Sequence, residues 1–308
     1  MSHLFPTQRT QIKTIFGRII PRIRINNAYL FVAPSVLVMT IFMVYPIIQA
    51  LWMSLHDWSF VSPERPFIAF DNYAELLQDP RALNSLRVTT IYTFISVPAQ
   101  IGLGLLLALA LNQPIRGVKL FRSIYFFPVI SSFAVMSIVW KFLNDANIGL
   151  ISQWLVKLGL PQINWLQSIT WALPAVIFTG VWKNIGFVMV ILLAGLQGIP
   201  EEYYEAARID GASRWSCFRH ITVPSLRQAL IFVIVITVIA SLQAFDQVYI
   251  MTRGGPLFTT ETIVSYVYHQ AFRLFRMGYA SALSWILFLI IMAISVIQLK
   301  FFRYHEID

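Results

Sequence analysis

Charge is what this chain has least of. Asp, Glu, Lys and Arg make up 12% of its 308 residues, against 57% hydrophobic, and the mean hydropathy is +0.68. A soluble domain carries about a quarter charged residues, so the deficit excludes a large soluble core and points to a polytopic membrane protein. Cysteine is nearly absent: Cys217 stands alone, which excludes an internal disulfide and the common CxxC zinc and redox spacings. Acidic residues are the scarcer sign, 14 against 23 basic, for a net charge of +9. That excess does not describe a nucleic-acid face. Arg9, Lys13, Arg18, Arg22 and Arg24 stand ahead of the first apolar run with no acidic residue among them, as suits an anionic membrane surface.

Reactive constellations are missing too. The histidines His3, His56, His220, His269 and His305 are scattered and make no HExxH or comparable ligand pair. No GxxxxGK[ST] phosphate loop occurs, so work driven by ATP would require another chain to bind it.

What the chain does have is apolar runs of membrane length. A helix crosses a hydrocarbon core in about 20 apolar residues. Segments 28–55, 88–111, 122–142, 171–197, 228–250 and 278–300 meet that demand. The first is a span and not a signal peptide, whose apolar core is about 7–15 residues. Alternating strands of about ten residues, the mark of a barrel, are absent. The expected fold is therefore an all-α polytopic membrane protein with six transmembrane helices. Basic residues orient it: the tail, Arg116, Lys119, Arg122 and the group from Arg208 to Arg227 fall on one side, taken as cytoplasmic. Residues 1–27 and 301–308 become cytoplasmic tails and 198–226 a cytoplasmic loop. Residues 56–87 and 251–277 become external loops, with a short surface helix expected at FDNYAELLQD.

The cytoplasmic loop is dense in start and stop signals. Pro200 suits a helix's first turn, and Glu201 and Glu202 then meet the positive end of its dipole. Glu205, Ala206 and Ala207 continue it with side chains small enough for a partner surface to approach. Gly211 can adopt the left-handed conformation that ends a helix, and Ser213 can cap a second one over 214–220 before Pro224. These residues fit either a docking element or an ordinary solvated loop.

The spacing Glu205-Ala206-Ala207, three residues, Gly211, nine residues, Ile221, one residue, Val223-Pro224 resembles the EAA loop of importer permeases. Those are the membrane subunits of binding-protein-dependent ABC transporters, which usually have Leu at the place of Val223. Asp210-Gly211-Ala212 is the form common in carbohydrate importers of the maltose and glycerol-phosphate permease family. The likeness runs over about 31–302, through WKNIGFVMVILLAGLQGIP, Thr252 to Pro256, Thr260 to Thr262, Tyr266, Tyr268 and Gly278 to Ala282. It implies a type I importer permease fold in a bacterial inner membrane, with a second related permease subunit. It also implies two ATPase subunits that bind ATP and Mg, an external solute-binding protein, and no cofactor on this chain. Glu205, Ala206, Ala207, Asp210, Gly211, Ala212 and Pro224 would carry the coupling to the ATPase.

Polar groups inside spans are costly and mark candidate function. Lys183 and Asn184 interrupt the fourth span, while Thr237 and Ser241 share a face of the fifth. In the maltose permease, which this segment resembles, the positions matching Lys183, Asn184, Phe187, Thr237, Ala240, Ser241 and Ala244 line the sugar site. Lys183 departs from that pattern and would favour an anionic or phosphorylated solute, unless it pairs with Asp246 or a carbonyl or faces water. A secondary carrier or channel acting without an ATPase is the alternative function, with Lys183 and Asp246 as its one candidate pair for a coupling ion. A membrane enzyme is a third and lacks a reactive cluster.

Overall fold

A computed structural model describes residues 21–114 and 116–304. Arg9, Lys13 and Arg18 of the expected basic tail, and 305–308 at the other end, lie outside them. The chain divides into two units, Met1–Met53 and Ser54–Asp308.

In the first unit, helix α1 (Pro21–Met39) runs through a π-helical turn, Thr40–Val44, into α2 (Tyr45–Ser54). The wide turn has a local cause. Pro46 offers no N–H to the carbonyl of Phe42 and its ring crowds that turn, which the longer bond from Tyr45 N–H to Thr40 O relieves. This unit's apolar side chains, such as Phe31 at 84% and Phe42 at 73% exposure, suit a helix surrounded by lipid.

The second unit opens on loop structure and α3 (Asp71–Gln78), the expected surface helix. Asp79 then starts α4 (Pro80–Leu111): its side chain accepts from Arg81 N–H at 2.9 Å, and Pro80 takes the first turn. The helix of the second span thus begins at Pro80, ahead of the apolar run expected over 88–111. Its 32 residues measure about 48 Å, well beyond a hydrocarbon core of about 30 Å, so its first turns project from the membrane.

The third span departs from expectation more sharply. The continuous helix expected over 122–142 is two helices, α5 (Val118–Ile130) and α6 (Phe133–Leu143), bent by 100°. Pro128 removes one rung of the ladder, and Ser131 and Ser132 take extended backbone at the break. A short helix α7 (Leu150–Lys157) leads to α8 (Ala172–Gln197), the fourth span and the most buried one. It packs along α4 and α5. At Gly186 the approach is so close that a Cβ would overlap the carbonyl of Tyr125 in α5.

After the cytoplasmic loop, whose first helix is α9 (Glu201–Ile209) and second α10 (Arg214–Cys217), comes a π turn, Phe218–Thr222. It stands just ahead of Pro224, as the first π turn stands ahead of Pro46. The three-residue helix α11 (Val223–Ser225) then leads into the fifth span. Expected as one helix over 228–250, that span is α12 (Arg227–Leu242) and α13 (Asp246–Met251), with an irregular turn between. Backbone freed inside a membrane must find a partner, and Thr262 Oγ1 donates to Ala244 O at 2.6 Å. Helix α14 (Ile263–Phe272) and the long α15 (Met277–Tyr304) complete the chain. No strand forms among the described residues beyond isolated bridges at His56–Phe67 and Ser59–Arg276. Apolar clusters fill both ends, around Leu192, Met189 and Val233 near the cytoplasmic loop and around Tyr92, Val181 and Val248 at the other.

Candidate functional site

The loop geometry follows its signals closely. Helix α9 begins after Pro200, which sits just outside it with extended backbone. It ends in a double closure: Ala212 N–H donates to Ala207 O at 2.8 Å and Gly211 N–H to Arg208 O at 3.1 Å, with Gly211 at φ +78°. This is a Schellman motif, which only a residue at ease in the left-handed region closes without strain. Ser213 then accepts from Ser216 N–H at 3.2 Å and caps α10. Tyr204 and Thr222 hydroxyls meet at 3.0 Å, tying α9 to the segment leading into the fifth span.

No residue of α9 is buried. Glu205 and Ala206 are exposed, Ala207 half-buried, and Asp210 and Gly211 exposed, while Ala212 is half-buried and Pro224 exposed. Tyr203, Ile209 and Trp215 are 55%, 86% and 68% exposed, an unusual apolar display around a charged helix. A 580 Å³ cleft beside them is lined by Asn112, Gln113, Gln197, Glu201, Tyr204 and Arg208, between the end of α4 and α9.

In the interior, Lys183 is 7% exposed, with Nζ 3.5 Å from Val129 O and 4.9 Å from the centre of the Phe133 ring. Asp246 acts on it electrostatically but forms no ion pair with it. Asn184 and Phe187 are half-buried on the same helix. On the fifth span, Thr237 is buried and donates to Val233 O at 2.7 Å. Ser241, also buried, accepts from Ser96 Oγ of α4 at 3.2 Å. Ala244 is buried at the break and Ala240 is exposed. The structure thus separates these positions into exposed or half-exposed ones and ones held in helix contacts.

Residues 100–305 match the family of binding-protein-dependent transport system inner membrane components. The chain belongs to that family. Among relatives, the probable ABC transporter permease protein YurN of Bacillus subtilis (strain 168) is 36% identical over 279 residues, 89% of this chain and 95% of its own. The trehalose/maltose transport system permease protein MalF of Thermococcus litoralis is 35% identical over 279 residues, 90% of this chain and 94% of its own. A solved bacterial ABC transporter, involved in the import of the acidic polysaccharide alginate, shares the fold. Its TM-score is 0.82 at 22% identity, covering 91% of this chain and 96% of that one. This permease is thus a multi-pass inner membrane component of a transport system.

Away from its cytoplasmic loop, the permease holds a polar latch that the order of residues alone does not reveal. Arg81 donates to both carboxylate oxygens of Glu261, at 2.7 and 2.8 Å, and its guanidinium lies 3.8 Å from the centre of the Phe258 ring. Glu261 is 2% exposed. Asp79 accepts from Tyr266 at 2.5 Å and from Tyr279 at 2.6 Å. Burial pushes the Asp79 carboxyl upward, but these hydroxyls and the Arg81 N–H outweigh it and leave the carboxyl below its ordinary range. Burial, and then the Asp79 carboxylate, push the Tyr266 phenol up to about 12. Thr89 Oγ1 accepts from Ile263 N–H at 2.8 Å, so α4, α14 and α15 close as one knot. The signals available in sequence were Asp79-Pro80, a helix start, and the Thr260-Glu-Thr262 segment, whose partner stands 180 residues away.

Proposed function

We propose that this permease is one of two related subunits forming the path of an ATP-driven importer for a saccharide or related polyol. The observation that carries the reading is the exposed helix Glu201–Ile209 closed at Gly211, because it presents Glu205-Ala206-Ala207 and a rigid end on one outward surface. ATPase subunits bind this surface from the cytoplasm and hold ATP and Mg there, since this chain has no phosphate loop. Within the loop, Glu205, Ala206, Ala207 and Gly211 seat the helix, Asp210 and Ala212 shape its end, and Pro224 directs the chain into the fifth span. An external solute-binding protein delivers the solute. Reversing a pathway equilibrium from 1:99 to 99:1 takes about 5.5 kcal/mol of differential binding, which a rigid helix transmits and a loose loop does not.

The saccharide reading draws on the trehalose/maltose name of one relative and on the resemblance at the interior positions. Half-buried Asn184 and Phe187 and exposed Ala240 support direct solute contact beside Lys183. Buried Thr237, Ser241 and Ala244 act by setting how the second and fifth spans pack behind that wall.

Co-purification tests the assignment. Affinity capture of this chain brings down an ATPase and a second permease, and Glu205→Lys or Gly211→Asp abolishes the ATPase alone. Solute uptake by this chain alone in liposomes without ATP would overturn it and favour the secondary carrier.

A further inference from the structure

Helix α9 lies beside the cytoplasmic ends of several spans, and its hydrogen bonding separates the one that holds it from one that does not. Among the described residues, Tyr204 is the side chain of α9 that bonds to the rest of the chain, its Oη standing 3.0 Å from Thr222 Oγ1. Glu201, Tyr204 and Arg208 share the face of α9 turned to the 580 Å³ cleft. Asn112 and Gln113, at the end of α4, line the same cleft, and among the described residues no hydrogen bond or ion pair joins them to α9. To α8 the helix is joined only by the short link through Gly198, Ile199 and the extended Pro200.

Thr222 is placed to pass a displacement into the membrane. It is 5% exposed, and its carbonyl accepts from Leu226 N–H at 3.0 Å. Leu226 is fully buried among Leu192, Leu196 and Val233. Its Cδ2 presses on Gly195 of α8, where an added Cβ would come within 2.8 Å of it. A close-packed wedge of this kind transmits a shift and does not absorb it. From it α12 runs as one uninterrupted helix of 16 residues, about 24 Å, past Thr237, Ala240 and Ser241. The open cleft offers no such path to α4. A bond that served only to stabilise the loop would add little here, since Gly211 already closes α9 and Ser213 already caps α10. What the hydroxyl pair adds is a fixed distance between α9 and the start of the fifth span.

We propose that Tyr204 is a positioning residue, and that its hydroxyl on Thr222 is the strut through which α9 drives the fifth span in preference to the second. The proposal rests on the ATPase-coupling reading and adds the route by which that coupling leaves the helix.

The test uses the complete importer, with both permeases, its ATPase subunits and its binding protein, in lipid nanodiscs. Ala240→Cys in a Cys217→Ser background reports on the fifth span through its rate of labelling by a charged maleimide, read by mass spectrometry on this chain's own peptide. Labelling without nucleotide is compared with labelling after trapping by ATP, Mg and vanadate. Trapping is expected to change the rate, and Tyr204→Phe to shrink that change about fivefold, the scale of one lost hydrogen bond. Thr222→Val should match it, Thr222→Ser should restore the response, and the double variant Tyr204→Phe with Thr222→Val should be no worse than either alone. ATPase subunits should stay bound and active throughout. A full response in Tyr204→Phe, or a response lost only together with ATPase capture, overturns the strut and leaves the coupling reading intact. A label rate that ignores nucleotide in the unaltered importer, with ATPase subunits bound and active, also overturns the strut. Failure of the unaltered chain to capture ATPase subunits overturns the coupling reading and the strut with it.

Discussion

At one end of this permease, Glu261 is 2% exposed and takes two bonds from Arg81, while Asp79 accepts from two tyrosines; at the other, Ile209 and Trp215 stand 86% and 68% exposed. Both regions connect membrane helices, and both begin from the same kind of local signal, a proline at or just ahead of a helix start. They differ in what satisfies them. The latch finds its partners within the chain, across 180 residues between Arg81 and Glu261, and so contributes to the stability of this subunit. The loop satisfies its own backbone through the Schellman closure and the Ser213 cap, then leaves its side chains outward. Internal bonding resides in the first region, and the proposed assembly surface is the second.

That contrast is open to direct attack, and the largest effect is expected at Gly211. Its φ of +78° excludes a β-branched residue, although a Cβ there meets nothing within 4 Å in this chain. Gly211→Val is expected to lower import about 100-fold, roughly 2.7 kcal/mol, with membrane-inserted protein near its normal amount. A parallel loss of folded permease would show that the loop stabilises the subunit and erase the distinction. Gly211→Ala sharpens it, since backbone strain alone costs about 1 kcal/mol, and any further loss of ATPase capture measures contact with the partner.

At the latch the order of effects should reverse. Glu261→Ala strands the Arg81 charge; breaking a buried pair costs about 3–5 kcal/mol, reduced to roughly 2–3 because Arg81 is 26% exposed. Thermal unfolding of the solubilised permease should show it, with ATPase binding per folded molecule unchanged. Ile209→Ser is expected to do the opposite, weakening ATPase affinity by about 2 kcal/mol, near 30-fold in Kd, while the unfolding temperature holds. Tyr279→Phe removes one hydroxyl from Asp79 and should cost about 1 kcal/mol of stability.

The smallest expected effect is one of pH. Burial first, then the positive charges of Arg81 and Arg273, hold the His269 imidazole below its ordinary value, with Glu261 pulling the other way. The unfolded chain then binds a proton that the folded one does not, so stability is full above about 6.5 and is lost as pH falls through the folded value. Unfolding temperature should drop on acidification across that window, and His269→Gln should flatten the profile. A flat profile in the unaltered permease would show that burial and the charges of Arg81 and Arg273 do not hold the imidazole down.

Much of the cytoplasmic loop was legible because its chemistry is local. A proline, paired glutamates, small residues and a glycine within a dozen positions specify a helix and its end through bonds between near neighbours. Apolar runs likewise announced the spans, since the bilayer demands a length that composition alone can meet. Where a distant partner decides the outcome, that reading stops. The helix of the second span starts at Pro80, where Asp79 caps it, and its projecting turn is held by Glu261 on Arg81. The third bends at Ser131 and Ser132, and the fifth breaks where Thr262 supplies a donor to Ala244 O. Hydroxyls at Thr237 and Ser241, read from sequence as candidate solute contacts, are engaged with Val233 O and Ser96 Oγ.

By itself, then, the order of residues determined the number of apolar segments, the family and the shape of the helix Glu201–Ile209. Each depends on periodicity, length or contacts within a few residues. The tertiary structure alone decided where spans break and which polar side chains are already engaged. Those outcomes depend on which groups meet in space, from Ala244 and Thr262, 18 residues apart, to Arg81 and Glu261, 180 apart, in a medium where an unsatisfied polar group is expensive.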